Sequence, residues 1–170
     1  MDDLSQNQEG GNNSTNLLAG RDINLVQAAQ AEQRDFGIID EIFKSVIRQL
    51  QEGEHDLNRD HTNLNKKIEI NFGSKEERER IQQYFKYAYT KVALLEKRMR
   101  EEDSETQKSL HSHIFAKYNA LKDKGSSSMK ILEELCEQFI IPGKKDNPEY
   151  TEIARAFVLF FFDDCTIFEK

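Results

Sequence analysis

The feature that most restricts how this chain can fold is its aromatic carboxyl-terminal segment. Pro148 suits the first turn of a helix, where its missing N–H is not needed, and the residues after it are apolar on nearly every side. One face, with three- and four-residue steps, comprises Tyr150, Ile153, Ala154, Phe157, Phe160 and Phe161. Val158, Leu159 and Phe162 fall outside it. Because an exposed phenylalanine forgoes about 1.5 to 3 kcal/mol of burial, we expect this helix to be the centre of the core or an interface, and we predict that these three residues bind a partner.

Two further segments predict a helical hairpin. Ser74 and Glu77 form a capping box, in which each side chain satisfies a backbone N–H at the helix start. The apolar stripe of this long helix is Ile81, Phe85, Ala88, Val92, Leu95 and Met99. A second cap, Ser104 to Gln107, opens a helix with Leu110, Ile114, Tyr118 and Leu121 on one face. The short turn 101–103 favours antiparallel packing. Tyr84 and Tyr87 lie beside the first stripe and are predicted to border a partner surface.

The remaining apolar patterns complete a mainly α prediction. Asp35 is a candidate cap for a helix that begins at Phe36 and ends at Gly53. Residues 68–72 alternate in polarity, which indicates either a short strand or an extended linker. A short amphipathic helix over 129–140 ends before Pro142. We therefore predict a helical bundle of about five helices around the long antiparallel pair, in a domain spanning residues 35–170.

The composition of residues 1–34 predicts a polar leader that is separate from the helical domain. The first twenty residues are rich in Asn, Gln, Ser and Gly, with too few apolar groups to offset the entropy of ordering. Two strand-like pieces, 14–18 and 22–26, flank Gly20, which can supply a tight turn. These pieces predict a short β-hairpin, which would need other strands for stability because an isolated hairpin is marginal in water. The alternative is an unstructured polar leader.

Charge and hydropathy exclude several classes of partner and location. The formal net charge is −7 and the sequence pI is about 5.2, which argues against direct nucleic-acid binding. The longest apolar run, 156–162, is far shorter than the roughly 20 residues of a membrane-spanning helix. The amino terminus lacks an apolar export signal, and Cys136 and Cys165 form no CxxC pair. We expect a cytoplasmic protein that does not contact membranes.

No motif in the sequence predicts catalysis. There is no phosphate-binding glycine loop, and no Glu-x-Lys of the kind used by metal-dependent nucleases. His111 and His113 lie two residues apart on a predicted helix, so they should point to opposite sides and be solvated. The cluster from His55 to His61 offers two imidazoles and two carboxylates, but a flexible loop would bring them together only at an entropic cost, so we expect a hydrated loop. We predict no enzyme activity, no cofactor and no metal, with the two cysteines serving as small apolar residues.

Two stretches resemble known bacterial proteins. Residues 18–24, Leu-Ala-Gly-Arg-Asp-Ile-Asn, resemble the leader of many proteins of bacterial conflict systems and prophages. The segment 67–71, the two long helices and the aromatic close are similar to the helical domains of ABC-three-component antiphage defence systems, to which Lamassu is related. The first resemblance implies self-association by β pairing, for which the candidate residues are Asn16, Leu18, Gly20, Asp22, Ile23 and Asn24. The second implies a complex with an ATPase and an effector.

Together these observations predict a non-catalytic adaptor subunit of an antiphage defence complex. It would bind its protein partners through aromatic helix surfaces and form homo-oligomers through its leader. The sequence leaves two alternatives open. One is a small metal-dependent toxin or nuclease that uses the His55 to His61 cluster, and the other is a prophage-encoded inhibitor that docks on a host protein.

Overall fold

The structure is a computed structural model that describes the backbone of residues 4–50 and 62–169, and side chains from Leu25 onward within these ranges. The described residues form six α-helices and no strand. In chain order these are α1 (Leu4–Ile47), α2 (Leu64–Asn71), α3 (Lys75–Arg100), α4 (Ser104–Lys122), α5 (Ser128–Gln138) and α6 (Pro148–Asp163). The predicted mainly α bundle is confirmed.

Helix α6 lies at the centre of this bundle. Its most extensive packing is against α3 and α5, so the core is organised around the aromatic helix more than around the predicted α3 and α4 pair. Phe43 of α1 meets Phe157 edge to face at 5.5 Å between ring centres, and Phe139 lies 5.0 Å from the same ring. Rings supply the largest buried area per residue in a core, which explains why the phenylalanine-rich helix takes the central place.

The helix starts agree closely with the sequence signals. Ser74 Oγ accepts a hydrogen bond from the Glu77 N–H at 3.1 Å, and Glu77 Oε2 accepts one from the Ser74 N–H at 3.4 Å, which confirms the capping box. Helix α4 is capped one residue earlier than expected, by Asp103, whose Oδ1 accepts from the Thr106 N–H at 2.8 Å. An aspartate carboxylate also interacts favourably with the positive end of the helix dipole.

The amino-terminal helix differs from the sequence prediction. Helix α1 runs from Leu4 to Ile47, so the backbone is helical across the stretch for which a β-hairpin was predicted, and Asp35 lies within the helix rather than at its start. Strong helix formers over 27–34, without proline, favour a continuous helix, and a two-stranded hairpin is marginal in water without a sheet to join. The predicted end at Gly53 lies outside the described residues.

Residues 68–72 are also corrected by the structure. Most of this stretch belongs to α2, and only Phe72 adopts an extended conformation, at the helix end. The side chain of Asn63 caps α2 by accepting from the Asn65 N–H at 3.0 Å. The alternation in polarity wrongly suggested a strand. Lys67 is a polar residue, yet it is buried next to Ile68 on the inner side of the helix.

The chain divides into two compact units, residues 1–35 and residues 36–170. In the second unit the segment after α6 folds back onto the bundle. The Thr166 N–H donates to the Phe161 carbonyl at 3.0 Å, and Ile167 and Phe168 are buried. Cys165 and Phe168 have φ values of 65° and 67°, so this reversal uses a left-handed conformation at two non-glycine residues.

Candidate protein-binding surface

Three of the residues predicted to bind a partner are instead part of the core. Val158, Leu159 and Phe162 are each 0% exposed within this single chain. The Phe162 ring lies 5.9 Å from Phe72, 5.9 Å from Phe85 and 5.3 Å from Phe168. The prediction that these side chains need another protein to cover them is therefore wrong. The chain buries them itself because α6 is surrounded by helices and by its own folded-back end.

The two predicted tyrosines remain on the surface of α3. Tyr87 is 76% exposed, whereas Tyr84 is half-buried. The Tyr84 hydroxyl accepts a hydrogen bond from Arg80 Nε at 2.7 Å. The guanidinium of Arg155 lies 4.4 Å from the centre of the Tyr84 ring, which is within the range of a cation–π interaction. Tyr84 is thus held in one orientation, while Tyr87 projects into solvent.

A small cleft separates these tyrosines from α6. It has a volume of about 240 Å³ and is lined by Tyr84, Tyr87, Ala88, Lys91, Glu152 and Arg155. Lys91 and Glu152 form an ion pair of 3.4 Å across it. The cleft, which we call the Tyr87 cleft, therefore combines aromatic side chains with charged groups of both signs. Tyrosine and arginine are enriched where proteins bind other proteins.

A larger groove lies between α2 and another side of α3. Its volume is about 700 Å³, and its lining includes Leu64, Ile68, Phe85, Tyr89, Val92 and Ala93. Tyr89, on its edge, is 77% exposed. With 3.6 residues per helical turn, Tyr87 and Tyr89 are about 200° apart around the axis of α3, so this Tyr89 groove faces away from the Tyr87 cleft. Sequence reasoning missed the groove because Phe85 and Val92 fit the buried stripe.

One charged side chain that sequence reasoning missed lies deep in the core. Lys67 is 0% exposed, and its Nζ donates a hydrogen bond of 2.5 Å to the Phe162 carbonyl. The same ammonium lies 4.7 Å from the centre of the Phe162 ring. Burial lowers the pKa of Lys67, and the neighbouring Cys165, Asp164 and Asp163 oppose that shift. Lys67 ties α2 to the carboxyl end of α6.

The two histidines of α4 are less solvated than predicted. His111 is buried, its Nδ1 lies 2.7 Å from Thr166 Oγ1 and 3.4 Å from an oxygen of Asp164, and its ring packs edge to face on Phe161 at 5.0 Å. His113 is half-buried, and burial lowers its pKa. The segment after α6 covers His111, a contact that helical periodicity could not reveal.

The described residues hold no group of three or more His, Cys, Asp or Glu side chains positioned to bind a metal ion. The cluster from His55 to His61 lies outside the residues that the structure describes. Cys136 and Cys165 are both buried, as predicted, and burial raises the pKa of the Cys136 thiol to about 12. The six leader residues predicted to mediate self-association lie outside the residues whose side chains are described.

Comparisons with protein-family models, with curated proteins and with solved structures give no match to this chain. Within the described residues, no helix combines the length and the apolar character needed to cross a membrane.

Proposed function

We propose that this chain is a non-catalytic adaptor subunit that binds a partner protein at the Tyr87 cleft. The observation that carries the proposal is the 76% exposure of Tyr87 beside an ordered aromatic and cationic wall. An exposed tyrosine gains a large amphipathic contact on binding and loses few rotamers. The ion pair between Lys91 and Glu152 offers polar groups at the rim of such a contact.

The identity of the partner is proposed from the resemblance to ABC-three-component defence systems. In that setting the adaptor, located in the cytoplasm, would join an ATPase to an effector during antiphage defence. Self-association through residues 16–24 is part of the same proposal and rests on the resemblance of the leader. Comparing the oligomeric state of the full chain with that of a chain lacking residues 1–26 by light scattering tests this part, and the same number of copies in both contradicts it.

The partner proposal is tested by co-expressing the full chain with the products of the genes that adjoin its own, among which the proposal expects an ATPase and an effector. We expect a stable complex, and we expect Tyr87→Ala to weaken it by about tenfold or more, as truncating a central interface tyrosine does. Phe115→Ala is the control, because it removes an exposed aromatic ring on α4 that lines neither the Tyr87 cleft nor the Tyr89 groove. Failure to form a complex, or equal loss with both variants, contradicts binding at the Tyr87 cleft.

A further inference from the structure

Helix α3 carries a stripe of exposed residues whose spacing is symmetric. The stripe consists of Gln82, Lys86, Tyr89, Ala93, Glu96 and Arg100, all of which are exposed. Its steps of four and three residues alternate, as in the contact seam between two packed helices. The order of steps is the same when the helix is read in either direction, and the midpoint of the stripe lies at the level of residue 91 along the helix axis. This property suits pairing with an identical helix running the opposite way.

We propose that a second copy of this chain docks on this stripe, with the two α3 helices antiparallel about a two-fold axis. Such an axis gives a closed dimer in which each contact occurs twice. In this register Tyr89 faces Ala93 of the second copy, Lys86 faces its Glu96, and Gln82 faces its Arg100. The contact is separate from the Tyr87 cleft and does not depend on the proposed adaptor function.

Charge complementarity fixes the antiparallel register. Lys86 and Glu96 stand at mirror-related positions of the stripe, so the antiparallel dimer contains two Lys86–Glu96 contacts. A parallel pair would instead place each lysine beside the lysine of the second copy and each glutamate beside the glutamate, which is repulsive. Glu96 also pairs with Arg100 of its own helix, where the two side chains are 53% and 76% exposed, so this intrahelical pair remains accessible to a further cation.

The sizes of the side chains in the stripe also favour the antiparallel register. Tyr89 is the large side chain of the stripe and is 77% exposed, whereas Ala93 is the smallest side chain. Ala93 also lines the Tyr89 groove, whose apolar walls include Leu64, Phe85 and Val92. The antiparallel arrangement places the Tyr89 ring of one copy over the alanine of the other, against these apolar walls. Packing large residues against small ones allows two helices to approach closely.

Charge reversal in the full chain tests the proposal by sedimentation equilibrium over a concentration series. We expect the wild type to dimerise. Lys86→Glu and Glu96→Lys should each weaken dimerisation about tenfold or more, because both contacts become repulsive. An equimolar mixture of the two single variants should recover a dimer that contains one copy of each, since the opposite charges then face each other again. Circular dichroism verifies that each variant is folded.

Tyr87→Ala is the control and should dimerise like the wild type, since it lies outside the stripe. A wild type that stays monomeric, single variants that associate as strongly as the wild type, or a mixture that fails to recover the dimer would each overturn the proposal. Association through the leader would be equal in the wild type and in the charge-reversal variants, so only the difference between them bears on the α3 contact. Loss of ATPase binding in Tyr87→Ala bears only on the adaptor function, so the two proposals can fail independently.

Discussion

The ammonium of Lys67 donates a 2.5 Å hydrogen bond to the main-chain carbonyl of Phe162, and both side chains are fully buried. The carbonyl lies in the last turn of α6, where the helix dipole places negative partial charge. The Lys67 ammonium interacts favourably with this partial charge, and that interaction offsets part of the free-energy cost of burying the ammonium. This contact joins the short helix α2 to the aromatic centre of the bundle, and it explains why α2 is helical in a stretch with little helical periodicity.

The burial of Lys67 predicts a specific dependence of stability on pH. Because its folded pKa lies below the unfolded value near 10.5, the unfolded chain binds more protons between these two values. The free energy of unfolding of the wild type should therefore rise relative to that of Lys67→Met as pH increases through this window. Urea denaturation of both proteins from neutral to alkaline pH measures the difference, and a constant difference across the window contradicts the prediction.

Removing the Phe162 ring should destabilise the protein strongly. Phe162→Ala leaves a cavity among Phe72, Phe85 and Phe168, and such substitutions cost about 3 to 5 kcal/mol. Phe115→Ala is the control, since Phe115 is 40% exposed and surface changes usually stay within about 0.5 kcal/mol. Denaturant unfolding compares the two. A small effect of Phe162→Ala would indicate an exposed ring and would restore the idea that α6 docks on a partner.

The Asp40 carboxylate should contribute to acid sensitivity. Hydrogen bonds from Lys44 and then from Arg98 hold its pKa below the ordinary value of 3.8 despite partial burial. This contribution to stability is present above the unfolded pKa and is lost as pH falls through the folded one. Asp40→Asn should therefore flatten the acid limb of the stability profile, measured by thermal unfolding between about pH 5 and 2. Asp146→Asn, at an exposed position, should leave that limb unchanged.

Native Cys136 should resist thiol reagents. With a pKa of about 12 and a buried side chain, its thiolate fraction at pH 8 is about one in ten thousand. In a Cys165→Ser background, a chromogenic disulfide reagent should react with Cys136 only as fast as the protein unfolds. Rapid modification under native conditions, with the rate independent of unfolding, contradicts this expectation.

Much of the local structure could be predicted from the sequence because its causes are local. The Ser74 and Glu77 capping box, Pro148 at the start of α6 and the apolar stripe of α3 each depend on residues within a few turns. Helix α2 and the environment of His111 could not be predicted in this way. Both depend on the carboxyl-terminal segment, which is distant in sequence and returns to cover them.

The tyrosines on α3 also illustrate the difference between what the sequence predicts and what only the tertiary structure decides. The sequence predicted Tyr84 and Tyr87 beside the apolar stripe, and the structure leaves Tyr87 exposed and half-buries Tyr84 under Arg155. Whether the phenylalanines of α6 are all buried could not be decided from their spacing, because burial depends on how many neighbours surround the helix. Helical periodicity and caps are properties of the sequence alone. Burial depends on the arrangement of several helices in space, and only the tertiary structure decides it.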